Sequence, residues 1–169
     1  VGRDPQEENV DRIGLMKSFQ IAGGWERTYK GLPIKTKVET YYQYLFDVPV
    51  EVAPSSFSML NAGTGFGRIW PKELQNSGTG RNVGLELTAE RFFAGGFYFM
   101  TTASLFDAKY QGSDGIWRNT IFNGRYALNV LAAKEFKLGA NNRFTLGSKL
   151  TTVGGRWFGA QVDNTESLR

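Results

Sequence analysis

From Asn82 to Phe93 the chain reads NVGLELTAERFF, with Val83, Leu85, Leu87 and Ala89 on one side of an extended backbone. Gly84, Glu86, Thr88 and Glu90 fall on the other. A repeat of two residues does not suit a helix, whose faces recur about every 3.6 residues; it describes a strand with one dry and one wet face. No other feature narrows the fold so far, and the rest of the chain can be read against it.

Five further segments follow the same rule to different degrees. In Lys17–Arg27, Phe19, Ile21 and Trp25 share a parity. In Ile34–Phe46, Val38, Thr40, Tyr42, Tyr44 and Phe46 alternate with Lys37, Glu39, Tyr41 and Gln43. Gly96–Lys109 is aromatic and β-branched at first, then ambiguous about its wet face. Arg143–Val153 sets Phe144, Leu146 and Leu150 against Thr145, Lys149 and Thr151. Arg125–Lys137 is the difficult one, because YALNVLAAKEFK is rich in helix formers. With a period of two, Leu128, Val130 and Ala132 face one way and Asn129, Ala133 and Glu135 the other, with Leu131 the exception. Its neighbours favour a strand. Composition agrees: 21 glycines and 14% aromatic residues in 169 suit turns and pleated surfaces, so the expected class is all-β with about six antiparallel strands.

The connections carry more information than the strands. YKGLP, AGG and LGANN join the first to the second, the third to the fourth and the fifth to the sixth, all of hairpin size. The second and third strands are separated by Asp47–Arg81, and the fourth and fifth by QGSDGIWRNTIFNG. Short and long therefore alternate strictly, as tight turns and long loops do at the two rims of an up-and-down membrane barrel. Trp25, Tyr29, Phe92, Phe93, Phe97, Tyr98, Phe136 and Phe144 flank the short turns, where a barrel carries its aromatic girdle. Glu39, Glu86, Glu90, Glu135, Lys37 and Lys149 would then line the interior. In a soluble sandwich they would be the solvated outer face, so alternation by itself leaves both architectures open.

Cysteine and histidine are both absent, which removes thiol nucleophiles, disulfides and every histidine-based triad or metal site. The net charge of +4 comes from scattered Lys and Arg, not the clustered footprint of a nucleic-acid binder. No apolar run reaches the roughly 18 residues of a spanning helix. The polar start VGRDPQEENVDR has no signal peptide, and with the ending NTESLR it reads as a piece of a longer protein.

The phrases SSFSMLNAGTGFGRIWPKELQNSGTGRNVGLELTAERFF and GFYFMTTASLFDAKYQGSDGIWRNTIFNGRYALNVLAAKEFKLG, with the strand VETYYQYLFDVPV, resemble the C-terminal half of the barrel of TonB-dependent outer-membrane receptors. The form is the one common in Bacteroidetes, and the likeness covers about Lys35–Gly155. It implies an outer-membrane transport protein, not an enzyme: a plugged barrel of about 22 strands that takes up a scarce ligand with energy delivered through TonB. Residues 1–169 would be one partial β-barrel domain, a segment of the transmembrane barrel lacking the plug domain, the TonB-contacting segment and the final strands. Its partners would be outer-membrane lipid and an unknown imported ligand, with the TonB complex reached only through the missing plug; no cofactor, metal or nucleic acid is expected. The alternatives are a small soluble β-barrel or sandwich around an apolar ligand, lipocalin-like, or a non-transporting outer-membrane barrel.

The remaining motifs are weak. GTGFG (63–67) and GTGRN (78–82) lack the Lys-Ser/Thr of a phosphate loop and read as flexible loop tips. Asp114-Gly115 reads as a turn and not a calcium loop, because spaced acidic ligands are missing. Glu86 and Glu90 share a face but stand about 13 Å apart along a strand, too far for a glycosidase pair. No catalytic constellation results. The residues expected to meet ligand from the loops 47–81 and 110–125 are Trp70, Arg81, Trp117, Arg118 and Arg125, with hydrogen bonding inside the loops as the plainer role for the arginines.

Overall fold

The computed structural model describes residues 12–62 and 71–157. It is all-β: β1 (Lys17–Thr28), β2 (Ile34–Glu51), β3 (Leu74–Ala94), β4 (Phe97–Gln111), β5 (Trp117–Asn119), β6 (Tyr126–Leu138) and β7 (Asn142–Val153) form one antiparallel sheet. The order β1-β2-β3-β4-β6-β7 is up-and-down, and β5 pairs with β4. The sheet is not closed. β1 is exposed at every residue and β7 at all but one.

The six expected strands are all present, and the ambiguous fifth is strand β6, hydrogen-bonded to β4 on one side and β7 on the other. Ladder partners on both sides over Ala127–Lys134 outweigh the modest helix preference of Ala, Lys and Glu. Three expectations need correction. β5 is a seventh strand inside the second long connection. β2 does not stop at Phe46 but runs to Glu51, passing Asp47 at φ 55 and register shifts on both sides of Val48. The second of those shifts absorbs Pro49, which has no N–H to give the ladder. Finally, GTGRN is no loop tip: Gly78–Asn82 lies within β3, paired to β2 and β4, so β3 begins at Leu74 and takes residues from the expected long loop. GTGFG falls outside the described residues.

Register sorts the side chains into two faces. The row Trp25, Val38, Leu87, Ala103, Leu128 runs across five strands of one face. One residue further on, Glu26, Lys37, Thr88, Thr102, Asn129 and Thr151 form a row on the other. Polar partners meet along that second face: Lys35–Glu26 at 2.9 Å, Lys37–Glu39 at 2.8 Å, Asn82–Gln43 at 2.8 Å and Thr151–Asn129 at 2.9 Å.

A single sheet has little room for a core. Among the described residues the buried apolar side chains are Leu45, Val48, Val50, Leu74 and Tyr110, gathered where the long loops emerge. Here the β2–β3 loop, with its short 3-10 turn Met59–Asn61 capped by Ser58, folds over the polar face. Leu60 comes down onto the backbone at Gly80, which has no side chain to obstruct it.

Candidate functional surfaces: the loop cluster and the apolar band

The two long loops, 52–73 and 112–125, rise from the same end of the sheet and are tied together. Ser113 Oγ donates to the carbonyl of Ala53 at 2.7 Å and accepts from the amide of Ser55 at 2.9 Å. The Asp114 amide donates to the Ser55 carbonyl at 3.3 Å, and the Ile121 amide to Asn61 Oδ1 at 2.7 Å. The Asp114-Gly115 turn holds itself: Gly115 adopts φ 74, and Asp114 Oδ1 accepts from the Ile116 amide at 3.1 Å. Both Asp114 oxygens accept from Arg118, at 2.9 and 2.6 Å. That bidentate pair, helped by the Ile116 amide, holds the Asp114 carboxyl below its ordinary range.

The residues expected to meet ligand are dispersed among these ties. Arg118 is engaged by Asp114 and by the Ile116 carbonyl, and stands across from Tyr110. Arg81 and Trp117 come together, the guanidinium 4.8 Å from the ring, on the apolar side of the sheet. Arg125, at φ 67, lies 5.1 Å from the ring of Trp157. Trp70 lies outside the described residues.

Asn123 is not among the residues expected from the sequence. It is fully buried, donates to Asp107 Oδ1 and Asn119 Oδ1 at 2.9 Å each, and accepts from Trp157 Nε1 at 2.7 Å through its carbonyl. Its Oδ1 and the buried Thr120 Oγ1 have no hydrogen-bond partner among the described residues. The phrase FNGRY reads as a loop in one dimension; only the return of 154–157 alongside 121–126 covers the asparagine.

Below the loops, on the polar face, lies a cleft of about 370 Å³. Leu60, Phe106 and Phe122 contribute apolar walls, Gln43 and Asn82 a bonded amide pair, and Thr120 its unpartnered hydroxyl. Such a surface can bind: rings for contact and amides for orientation. Among the described residues no group of three or more acidic side chains converges as a metal site requires.

The second surface is the apolar face. On β3 it runs Val83, Leu85, Leu87, Ala89 between Arg81 and Arg91; on β1 it runs Phe19, Ile21, Gly23, Trp25 between Lys17 and Arg27. Both brackets are ten residues apart, which is about 34 Å along a strand and about 26 Å in height at the usual barrel tilt. Between them every Asp, Glu, Lys and Arg of β1 to β3 points to the other face; on β4, Asp107, level with Val83, is the exception, and it pairs with Lys109 at 3.3 Å. This face is bare. Phe19, Ile21, Leu105, Leu146 and Leu150 are each at least 57% exposed, and the β2–β3 loop, with Leu60 over Gly80, lies on the opposite side. Aromatics mark both ends, with Tyr44 and Phe46 stacked 6.1 Å apart toward the loops and Phe136 and Phe144 6.2 Å apart by the last short turn. No helix among the described residues is long and apolar enough to cross a membrane, which leaves crossing by strands untouched.

Comparison with protein-family models, with curated proteins and with solved structures returned no match.

Proposed function

We propose that this chain is a stretch of the wall of an outer-membrane β-barrel, in a TonB-dependent receptor that takes up a scarce ligand from outside the cell. One observation carries the membrane part: a bare face about 26 Å high, edged by aromatics and basic residues, on which the intervening charges of β1 to β3 all point to the reverse side. In a soluble sandwich the apolar face is the one that a second layer covers. Here the covering loop lies on the polar face, as it does when that face is the barrel interior.

The receptor part rests on the resemblance of the loop and strand phrases and on the cleft of rings and amides below the loops. The short turns then mark the periplasmic rim, and the loops 52–73 and 112–125 the external one. Import by the whole receptor would need the plug that couples to TonB.

Fractionation of cells producing the full-length protein tests the reading. It should partition with the outer membrane and migrate faster on a denaturing gel before heating than after. Recovery as a soluble monomer without detergent would exclude the membrane wall.

A further inference from the structure

The two ends of the apolar face differ in how their cations are treated. Toward the loops, Lys17 is paired with Asp47 at 2.8 Å and Lys109 with Asp107 at 3.3 Å. At the short-turn end the same face carries Arg27, Arg91 and Lys134, with no Asp or Glu of the described residues on that face beside them. Arg91 and Lys134 converge on one hairpin. Arg91 Nη1 donates to the carbonyls of Ala94 at 3.0 Å and Phe97 at 2.8 Å, and Lys134 Nζ donates to the carbonyl of Gly95 at 3.3 Å.

Carbonyl partners orient a cation without cancelling its charge, whereas at the other rim carboxylates neutralise Lys17 and Lys109, and Arg81 there lies against the Trp117 ring. The Arg91 guanidinium also lies 5.2 Å from the Phe97 ring, which fixes its plane. Its Nε and Nη2 donors have no hydrogen-bond partner among the described residues, and Lys134 keeps two of its three N–H groups. What the hairpin presents is a held pair of cations with spare donors, at the height where an apolar wall meets water.

We propose that Arg91 and Lys134 form a docking site for the phosphate of a membrane phospholipid at the short-turn rim. The inference rests on the barrel-wall reading above. A guanidinium fork matches phosphate oxygens in two parallel hydrogen bonds, and a flanking ammonium adds charge. The Lys134 stem can lie along the apolar band while its head reaches the boundary. Arg27 adds a third positive charge two strands away, beside Tyr29 at 5.0 Å.

The test uses the full-length protein in detergent, mixed with equal amounts of phosphatidylglycerol and a phosphate-free diglucosyl diacylglycerol, with retained lipid counted by native mass spectrometry. The wild-type protein should retain the phosphate lipid preferentially. The double variant R91Q/K134Q should lose about thirtyfold of that preference, as two basic residues at an anionic surface imply. Arg143→Gln, at the same rim but bonded to Glu135 on the polar face, should keep it. Gel mobility before and after heating separates the two ideas. If the protein behaves as a barrel but has no preference, or R91Q/K134Q keeps it, the docking site is wrong and the wall stands; a protein soluble without detergent removes both.

Discussion

At Gly78 a methyl group would overlap the fully buried Val50 side chain and stand 3.0 Å from the Val48 carbonyl and 3.3 Å from that of Gln111. At Gly84 the obstacle is the Tyr41 ring, 2.5 Å away, a flexible side chain that can swing aside. Gly78→Ala should therefore cost about 1–3 kcal/mol and Gly84→Ala distinctly less, read as shifts in thermal midpoint of the full-length protein. Equal effects would mean that the loop-end packing is not what the glycines serve. Asp114 offers a second test. Its depressed carboxyl stabilises the loop fully above the unfolded value of about 3.9 and ceases to do so as pH falls through the lower folded value. A nitroxide at Ile116→Cys should stay immobilised from neutral pH into the ordinary carboxylate range and loosen only below it. In Asp114→Asn it should be loose at every pH, and a pH-dependent signal there would assign the titration to another group. These residues also mark the limit of reading in one dimension. Asp114-Gly115 was legible as a turn because its bonds are local. The packing of Gly78 and the burial of Asn123 depend on chain dozens of residues away, and GTGRN looked like a loop for that reason.

The strands show why alternation was a good guide and where it failed. It placed all six long strands because a face-to-face difference in solvent repeats every two residues, whatever the register partner. β6 was the hard case, and its ladder partners, absent from local sequence, decided it. β5 was missed because three residues cannot display a period. The ends of β2 and β3 were drawn short because Asp47, Pro49 and Gly78 look like breakers, yet a bulge and a close-packed neighbour accommodate them. The apolar band invites an element-scale prediction. Leu85→Arg, near the middle of the band on β3, should destabilise the protein in lipid vesicles by about 2–4 kcal/mol, while Leu→Arg exchanges nearer the rims should cost about 0–1. Glu86→Arg, one residue away on the polar face, should leave assembly intact. Vesicle-insertion yields and unfolding midpoints would measure all of these, and a flat profile along the band would deny that it faces hydrocarbon.

The whole sheet has a topological deficiency that no side chain repairs. Among the described residues its outermost strands, β1 with 12 residues and β7 with 12, each pair on one side only. An open edge in water invites pairing with other chains, and in hydrocarbon each unpaired N–H or C=O costs several kcal/mol. Closure needs at least about 8 strands in a membrane barrel, and six long ones are present among the described residues. Residues 1–169 produced alone and refolded into detergent should therefore give no heat-modifiable monomer. Their bare edges should pair between copies, so light scattering should report oligomers that grow with concentration. Under the proposed wall reading, a full-length protein with neighbouring strands on both edges should refold under the same conditions to a monomer with shifted gel mobility. A monodisperse, cooperatively melting monomer of the isolated chain would mean that β1 and β7 find partners within it, and the wall would have to be redrawn as a small barrel closed on itself.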